Sequence, residues 1–478
     1  MSFECPIRAA AAHRPDAEAL TFAGHRWTYR ELDVEVGRWV AVLQARGVQP
    51  GDRLALLAAN HAHSVFLFFA LGRLRAVLAP LNARLTQAEL APLLEDISPR
   101  LTLAQKSLVD RLPSAEPLDT WADAAQSPSA SCEPLEEASP RVVLFTSGTT
   151  GRPKGAVLTE GNFRASARCS AQNLGAHPAP RWLGTLPLFH VGGLAMMSRT
   201  AYDGGCLVLH DRFEVDAVNS AIDTEGVTHA SFVATTLERV LDARAGRPVP
   251  ETFCLALIGG GPVPAPLLER ARAARLLALQ TYGLTEACSQ VTTERLTEAD
   301  GRTAGPALPG LQVRIIGPDG EVLGPGREGD IEVQGPTVMA GYLNRPEATR
   351  EALRDGWLRT RDVGMLDERG RLTVLSRRTD LIVRGGENLY PIEIETVLAS
   401  HPAVQEVSVV GVADARWGEV PVAFIVLRSG HALPGDLDGW CRRSLAGFKV
   451  PARFIPIEAL PRNAMGKVER TVLRQLAT

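Results

Sequence analysis

Apolar positions in the first hundred residues alternate between two rhythms. In "ALTFAGHRWTY" (19–29) short apolar runs stand either side of Gly24, which predicts a β-hairpin turning there. Thr28 followed three residues later by Glu31 makes a capping box, so a helix is expected to open there and end near Gly47. "DRLALLAAN" (52–60) predicts a short apolar strand, "HSVFLFFALGRL" (63–74) a helix and "AVLAPLN" (76–82) the next strand. Strand, helix, strand in this rhythm implies βαβ units and a largely parallel sheet covered on both faces. The stretch 112–140, rich in Pro, Ser, Ala and Glu, interrupts the pattern and reads as an exposed connection.

The αβ rhythm resumes over 182–282. From about Leu311 glycines become frequent among β-type runs such as "LQVRIIGPDG" and "GDIEVQGP", which suggests a small β subdomain. Beyond "LSRRTDLIV" a β-α-β pattern of roughly a hundred residues, long enough to fold as its own module, closes the chain. The fold class is therefore α/β: a large N-terminal domain of αβ-layered subdomains with a small β subdomain, then a small α+β C-terminal domain. No internal repeat or low-complexity array occurs.

Composition narrows the class. The 478 residues are 45% hydrophobic and 22% charged, with a net charge of −3, so neither nucleic acid nor an anionic membrane is called for as partner. Seven scattered cysteines without CxxC spacing argue against a disulfide framework and a zinc site, and for a reducing compartment. The N-terminus mixes acids and prolines into its alanines, unlike a signal peptide, and the longest apolar run is too short for a membrane span. A cytoplasmic enzyme is expected, and nothing argues against a homodimer.

The chemistry starts at "TSGTTGRPKG" (146–155), directly after the apolar "RVVLF". A Walker A loop needs Gly, four residues, Gly-Lys, then Ser or Thr. Counted from Gly148, Lys154 falls in register, but Pro153 takes the second glycine's place and Gly155 replaces the magnesium-binding hydroxyl. The composition still suits phosphate: glycines let backbone N–H groups converge on an anion, and Thr146, Ser147, Thr149 and Thr150 add hydroxyl donors.

With this loop, "YGLTEA" (282–287), "GWLRTRDVG" (356–364), "SRRTDLIVRGGENLYPIEIE" (376–395) and "PRNAMGK" (461–467) in order, the chain resembles the adenylate-forming family of acyl- and aryl-CoA ligases, non-ribosomal adenylation domains and luciferases along essentially its whole length. "GGGPVPAPLLE", "QTYGLTEACSQVTT", "RWGEVP" and "LAGFKVP" look most like the o-succinylbenzoate–CoA ligases of menaquinone biosynthesis within it. The tail "LPRNAMGKV" is also similar to malonyl- and medium-chain acyl-CoA synthetases, so another aryl or β-keto acid stays open, as does a stand-alone enzyme loading a carrier protein.

The resemblance implies ATP, Mg²⁺ and CoA, and a small carboxylic acid as substrate. Thr146, Ser147, Gly148, Thr149, Thr150, Gly151 and Lys154 would hold the β- and γ-phosphates. Glu286 would be the Mg²⁺ ligand, Thr285 a hydroxyl near the α-phosphate, and Tyr282 and Gly260 a wall for adenine. Asp362 and Arg377 would meet the ribose, although Arg361 and Ser376 stand where the family commonly has glycines. Lys467 would bridge the carboxylate and the α-phosphate. His190, in "PLFHVGGL", would gate the acid pocket, with Gly260, Gly261, Ser289 and Gln290 along it. A mobile C-terminal domain (379–478), hinged at Thr379 after an N-terminal domain (1–378), would bring Arg384, Gly385, Gly386 and Lys449 to CoA.

Overall fold

The computed structural model describes residues 2–124, 128, 134–146, 153–261, 263–377, 380–384, 387–414, 417–445, 447–463 and 466–477. Two compact units emerge, one of residues 1–263, 267–313 and 332–359, the other of 264–266, 314–331 and 360–478. Compactness thus groups 314–331 and 360–378 with the C-terminal hundred residues, a different division from a break at 379.

In the first unit the local signals act as expected. Ala23 and Gly24 both have positive φ (50° and 83°), the twist a two-residue hairpin needs, and join the strands Glu18–Phe22 and His25–Thr28. The Thr28 hydroxyl accepts from the Glu31 amide at 3.3 Å, and the Glu31 carboxylate accepts from the Thr28 amide at 2.8 Å, opening the helix Tyr29–Ala45. The helix Ala62–Arg73 is apolar nearly all round because almost every residue in it is buried.

Two sheets carry this unit. One runs in the order Gly341–Tyr342, Lys154–Thr159, Pro140–Thr146, Val77–Leu81, Arg53–Leu57, Leu101–Ala104, Glu116–Pro117, parallel from Pro140–Thr146 onward. The other has six parallel strands, Ala278–Leu284, Leu255–Ile258, His229–Phe232, Arg181–Gly184, Cys206–Leu209 and Glu18–Phe22, flanked by antiparallel edges Ser289–Thr293 and His25–Thr28. The largely parallel sheet is borne out. The exposed connection expected over 112–140 is corrected in part. Leu118–Ala124 forms a helix, and Trp121, at 1% exposure, fills the core while donating its indole N–H to Glu116 at 3.0 Å.

Buried charge stiffens the scaffold near the glycine-rich loop. Arg141 opens the strand leading into it and forms an ion pair with Glu160 at 2.8 Å, its guanidinium 3.7 Å from the Phe68 ring centroid. Burial pushes the Glu160 carboxyl up and Arg141 opposes that shift. In the helix Val191–Tyr202, Arg199 is 4% exposed and lies 4.3 Å from the Trp182 ring centroid. Just past that helix, burial pushes the Asp203 carboxyl from 3.8 up to about 6 against the pull of Arg199. An acid raised in the folded state binds more protons folded than unfolded across that window, so its contribution to stability is lost as pH rises through it. Asp203→Asn is therefore expected to gain stability relative to wild type between about pH 4 and pH 7, read from urea midpoints at both ends.

The second unit has a sheet ordered Glu387–Leu389, Ile382–Arg384, Gly418–Leu427, Val404–Asp414, with Arg453–Pro456 parallel to Gly418–Leu427. Period-two alternation gives each sheet face its own core. Val409, Ala423 and Ile425 pack with Ile394, Leu398, Leu437 and Cys441. Val410, Val422 and Phe424 pack with Leu473 and Ala477 of the helix Arg470–Ala477. No helix among the described residues is long and apolar enough to cross a membrane.

Candidate active site

The strands on either side of the glycine-rich segment form an antiparallel hairpin. Pro140–Thr146 and Lys154–Thr159 pair so that Thr146 and Lys154 are direct partners at its mouth. Ser147, Gly148, Thr149, Thr150 and Gly151 lie outside the described residues. Gly155 is fixed by packing, since a Cβ there would stand 2.7 Å from Val143. The strand Gly341–Tyr342 adds to the outer side of the hairpin, with Tyr342 opposite Ala156.

Glu286 is brought to this mouth from 140 residues away. Its Oε1 accepts from the Tyr342 hydroxyl at 2.9 Å and lies 3.3 Å from the Thr146 hydroxyl as acceptor. Its carbonyl accepts from the Met339 amide at 2.8 Å, and Lys154 Nζ lies 5.5 Å from the Tyr342 ring centroid. A carboxylate, two hydroxyls and an ammonium therefore share one hairpin mouth. The donor set is oxygen only, which suits Mg²⁺ with phosphate oxygens and not a soft metal.

Tyr342 was not anticipated. Its signal, "GYLNRP" (341–346), is a glycine-tyrosine pair ahead of a proline-initiated helix, and only the pairing to the hairpin gives it meaning.

Tyr282 and Gly283 lie on the strand Ala278–Leu284, and Thr285–Ala287 is a single 3₁₀ turn that presents Glu286. The turn is tight: Cys288 and Ser289 both have positive φ (51° and 87°), and the pairing register shifts between Tyr282 and Gly283. A Cβ on Gly283 would stand 1.6 Å from the Ser289 carbonyl oxygen. Gly283→Ala must push this turn apart, at a cost of about 1–3 kcal/mol in denaturant unfolding. An unchanged midpoint would contradict the close approach.

Ser289 is half-buried and its neighbour Gln290 is buried. Gln290 was expected along the acid pocket; it is 3% exposed, accepts from Arg199 at 2.6 Å and donates to the Thr293 hydroxyl at 2.9 Å. Ser289, at φ 87°, sits where the strand departs from regular alternation, and Gln290 is engaged with Arg199 of the helix Val191–Tyr202.

His190 is the N-cap of Val191–Tyr202, half-buried, with its ring edge-on to Phe189 at 4.6 Å. Gly193 after it is required by packing: a Cβ there would meet the Pro187 carbonyl oxygen at 2.3 Å. Gly260 follows the strand Leu255–Ile258 with φ +82°, and Gly261 has open space where a Cβ would be.

In the second unit Asp362 and Arg377 are directly paired across the antiparallel strands Trp357–Leu366 and Leu372–Arg377. Asp362 is 6% exposed and its amide donates to the Thr360 hydroxyl at 3.1 Å. Arg361, standing where a glycine is common, has φ 63°, a left-handed conformation that explains the usual preference.

Lys467 is exposed on a tight turn with Gly466 at φ 78°. Its amide donates to the Asn463 side chain at 3.0 Å and its carbonyl accepts from the Asn463 amide at 2.9 Å.

Arg384 donates to the Phe448 carbonyl at 2.7 Å and lies 5.6 Å from the Trp417 ring centroid. Both aromatic rings are exposed, and neither was anticipated from sequence. Lys449 donates to Glu393 at 2.7 Å, so its charge is partly neutralised. Thr379, Gly385 and Gly386 lie outside the described residues.

Both the fold and these motifs define a class. Residues 7–343 match the model of the AMP-binding enzyme family and residues 393–467 that of the AMP-binding enzyme C-terminal domain, and the chain belongs to this family. It is 39% identical over 469 residues to 2-succinylbenzoate–CoA ligase of Bacillus anthracis, covering 97% of this chain and 96% of the relative. Its structure matches that of o-succinylbenzoate CoA synthetase from Bacillus subtilis in complex with the acyl-adenylate intermediate OSB-AMP, with TM-score 0.93, 37% identity, and 99% and 98% of the two chains covered. The same Bacillus subtilis enzyme with ATP and magnesium ion matches with TM-score 0.91, 36% identity, and 99% and 100% coverage.

Proposed function

We propose that this protein is an ATP-dependent, AMP-forming acid–CoA ligase acting on o-succinylbenzoate. In the first step the carboxylate attacks the α-phosphorus of ATP, giving acyl-AMP and pyrophosphate. In the second the CoA thiolate attacks the acyl carbon, forming the thioester and releasing AMP.

The observation that carries the reading is the convergence of Glu286, Thr146, Lys154 and Tyr342 at the mouth of the glycine-rich hairpin. Two anions must meet in the first step, so the protein's work is charge neutralisation and alignment. Lys154 and the loop hold the β- and γ-phosphates. Glu286 would hold Mg²⁺, which when bound draws off phosphate charge. Tyr342 fixes the carboxylate of Glu286 through its hydroxyl. Asp362 and Arg377, paired across two strands, hold the ribose hydroxyls, and Tyr282 and Gly260 flank the adenine. Lys467 supplies an ammonium where charge builds between carboxylate and α-phosphate. His190, Gly260, Gly261, Ser289 and Gln290 line the side of the site that takes the acid.

A C-terminal domain turning about Thr379 serves the second step. Exposed Trp417 and Phe448 beside Arg384 and Lys449 offer flat rings and cations suited to a nucleotide thiol. The choice of acid is supported by the near-full-length likeness to ligases named for o-succinylbenzoate.

The test is pyrophosphate release with o-succinylbenzoate, benzoate, anthranilate, malonate and octanoate, each with and without CoA. O-succinylbenzoate should lead and its CoA thioester should accumulate. A different leading acid would remove the substrate and keep the chemistry. Pyrophosphate release without any CoA thioester would favour delivery to a carrier protein, and no release with any acid would end the ligase reading.

A further inference from the structure

The turn bearing Lys467 is short, and both of its stems are tied down by arginines within the second unit. On the incoming side Arg462 donates to Glu406 at 2.6 Å and to the Gly466 carbonyl at 2.8 Å. On the outgoing side the chain enters the helix Arg470–Ala477 three residues after Lys467. Leu473 and Ala477 of that helix are buried against the sheet, and Arg470 shares their stripe at the helical spacing. It therefore points inward, toward two acids.

Those acids are Asp380 and Glu395. Arg470 donates to Asp380 at 2.8 Å and to Glu395 at 2.6 Å, and Arg474, one turn on, stands 3.5 Å from Asp380. Glu395 is itself held, accepting from the Val409 amide of the strand Val404–Asp414 at 2.8 Å. All three partners are largely shielded, with side-chain exposures of 27%, 17% and 12% for Arg470, Asp380 and Glu395. Asp380 is the residue next to Thr379. The guanidinium thus ties the outgoing stem of the Lys467 turn to the segment immediately after the proposed hinge and to the sheet.

We propose that Arg470 is a positioning residue for the adenylation step, setting where Lys467 stands relative to the hinge segment through its paired bonds to Asp380 and Glu395. The inference rests on the reading of Lys467 as the cation of the first half-reaction. A planar fork held by two carboxylates fixes direction as well as distance, which a flexible ammonium does not. Because every contact of this tie lies within the second unit, loosening it moves Lys467 without touching the groups that meet ATP or CoA directly. The second half-reaction does not use Lys467, so the two steps should separate.

The experiment measures both half-reactions in the full-length enzyme: pyrophosphate release with o-succinylbenzoate and ATP, and thioester formation from preformed o-succinylbenzoyl-AMP and CoA. Arg470→Gln is expected to lower kcat of adenylation by about 10–100-fold with KM for ATP little changed, since a misplacement of about 1 Å costs that much. Thioester formation should stay within about threefold of wild type. Asp380→Asn should show the same split with a smaller loss, because Glu395 remains, and Arg470→Lys should recover part of the rate. Equal losses in both half-reactions, or a fall in thermal midpoint that tracks the loss across the three variants, would make the tie merely structural and overturn the proposal. So would adenylation at the wild-type rate in Arg470→Gln alongside an inactive Lys467→Ala. If Lys467→Ala itself adenylates normally, it is the reading of Lys467 that fails.

Discussion

Lys467→Ala is expected to slow adenylation of o-succinylbenzoate by about 10²–10³-fold, the usual cost of removing one preorganised charge from a developing anion. The side chain is exposed and on a turn whose backbone is closed by Asn463, so truncation removes the ammonium and leaves the turn standing. Nearby Arg462 is no substitute, because its guanidinium is already engaged by Glu406. The loss should fall on kcat, with KM for ATP and acid little changed, since the charge matters most in the transition state. Thioester formation from the preformed acyl-adenylate should continue at close to the wild-type rate. Two assays suffice, pyrophosphate release and CoA consumption from supplied acyl-adenylate. Loss of both steps together would deny Lys467 a role confined to the first.

What the sequence disclosed and what it hid divides by range. The Gly24 hairpin and the Thr28–Glu31 capping box were legible because their causes lie within a few residues: a positive φ and a reciprocal pair of hydrogen bonds. The parallel sheets were legible from the rhythm of apolar runs. The helix Leu118–Ala124 was not, since the proline- and serine-rich composition around it masked a short helix whose reason for existing is to bury Trp121.

At the site, the motif residues were found by their resemblance to a known family, and their grouping came from topology. Tyr342 meets Glu286 across 56 positions because Gly341–Tyr342 adds an edge to the hairpin, which no local pattern encodes. The bond from Arg199 to Gln290 spans 91 positions and likewise came from packing, not from any local pattern. Arg361 shows the reverse case, a departure visible in sequence whose consequence, a strained backbone before Asp362, became concrete only in the structure.

Glu286→Gln carries the other large expected effect. The substitution keeps shape and an acceptor oxygen, so the bonds from Tyr342 at 2.9 Å and Thr146 at 3.3 Å can persist and the 3₁₀ turn should stay folded. What goes is the negative charge. Magnesium dehydrates reluctantly and is held by one or two carboxylates together with substrate phosphates, and among the described residues Glu286 is the carboxylate found at this hairpin mouth. We expect kcat/KM of adenylation to fall by about 100-fold or more and the Mg²⁺ concentration for half-maximal rate to rise, with excess Mg²⁺ recovering part of the loss. Tyr342→Phe, which leaves the charge and removes the hydroxyl that orients it, should show a milder form of the same signature, about 10-fold. The measurement is a Mg²⁺ titration of pyrophosphate release for the three proteins. A parallel fall in rate with the Mg²⁺ midpoint unmoved would place Glu286 with the phosphate-loop scaffold and take the metal away from it.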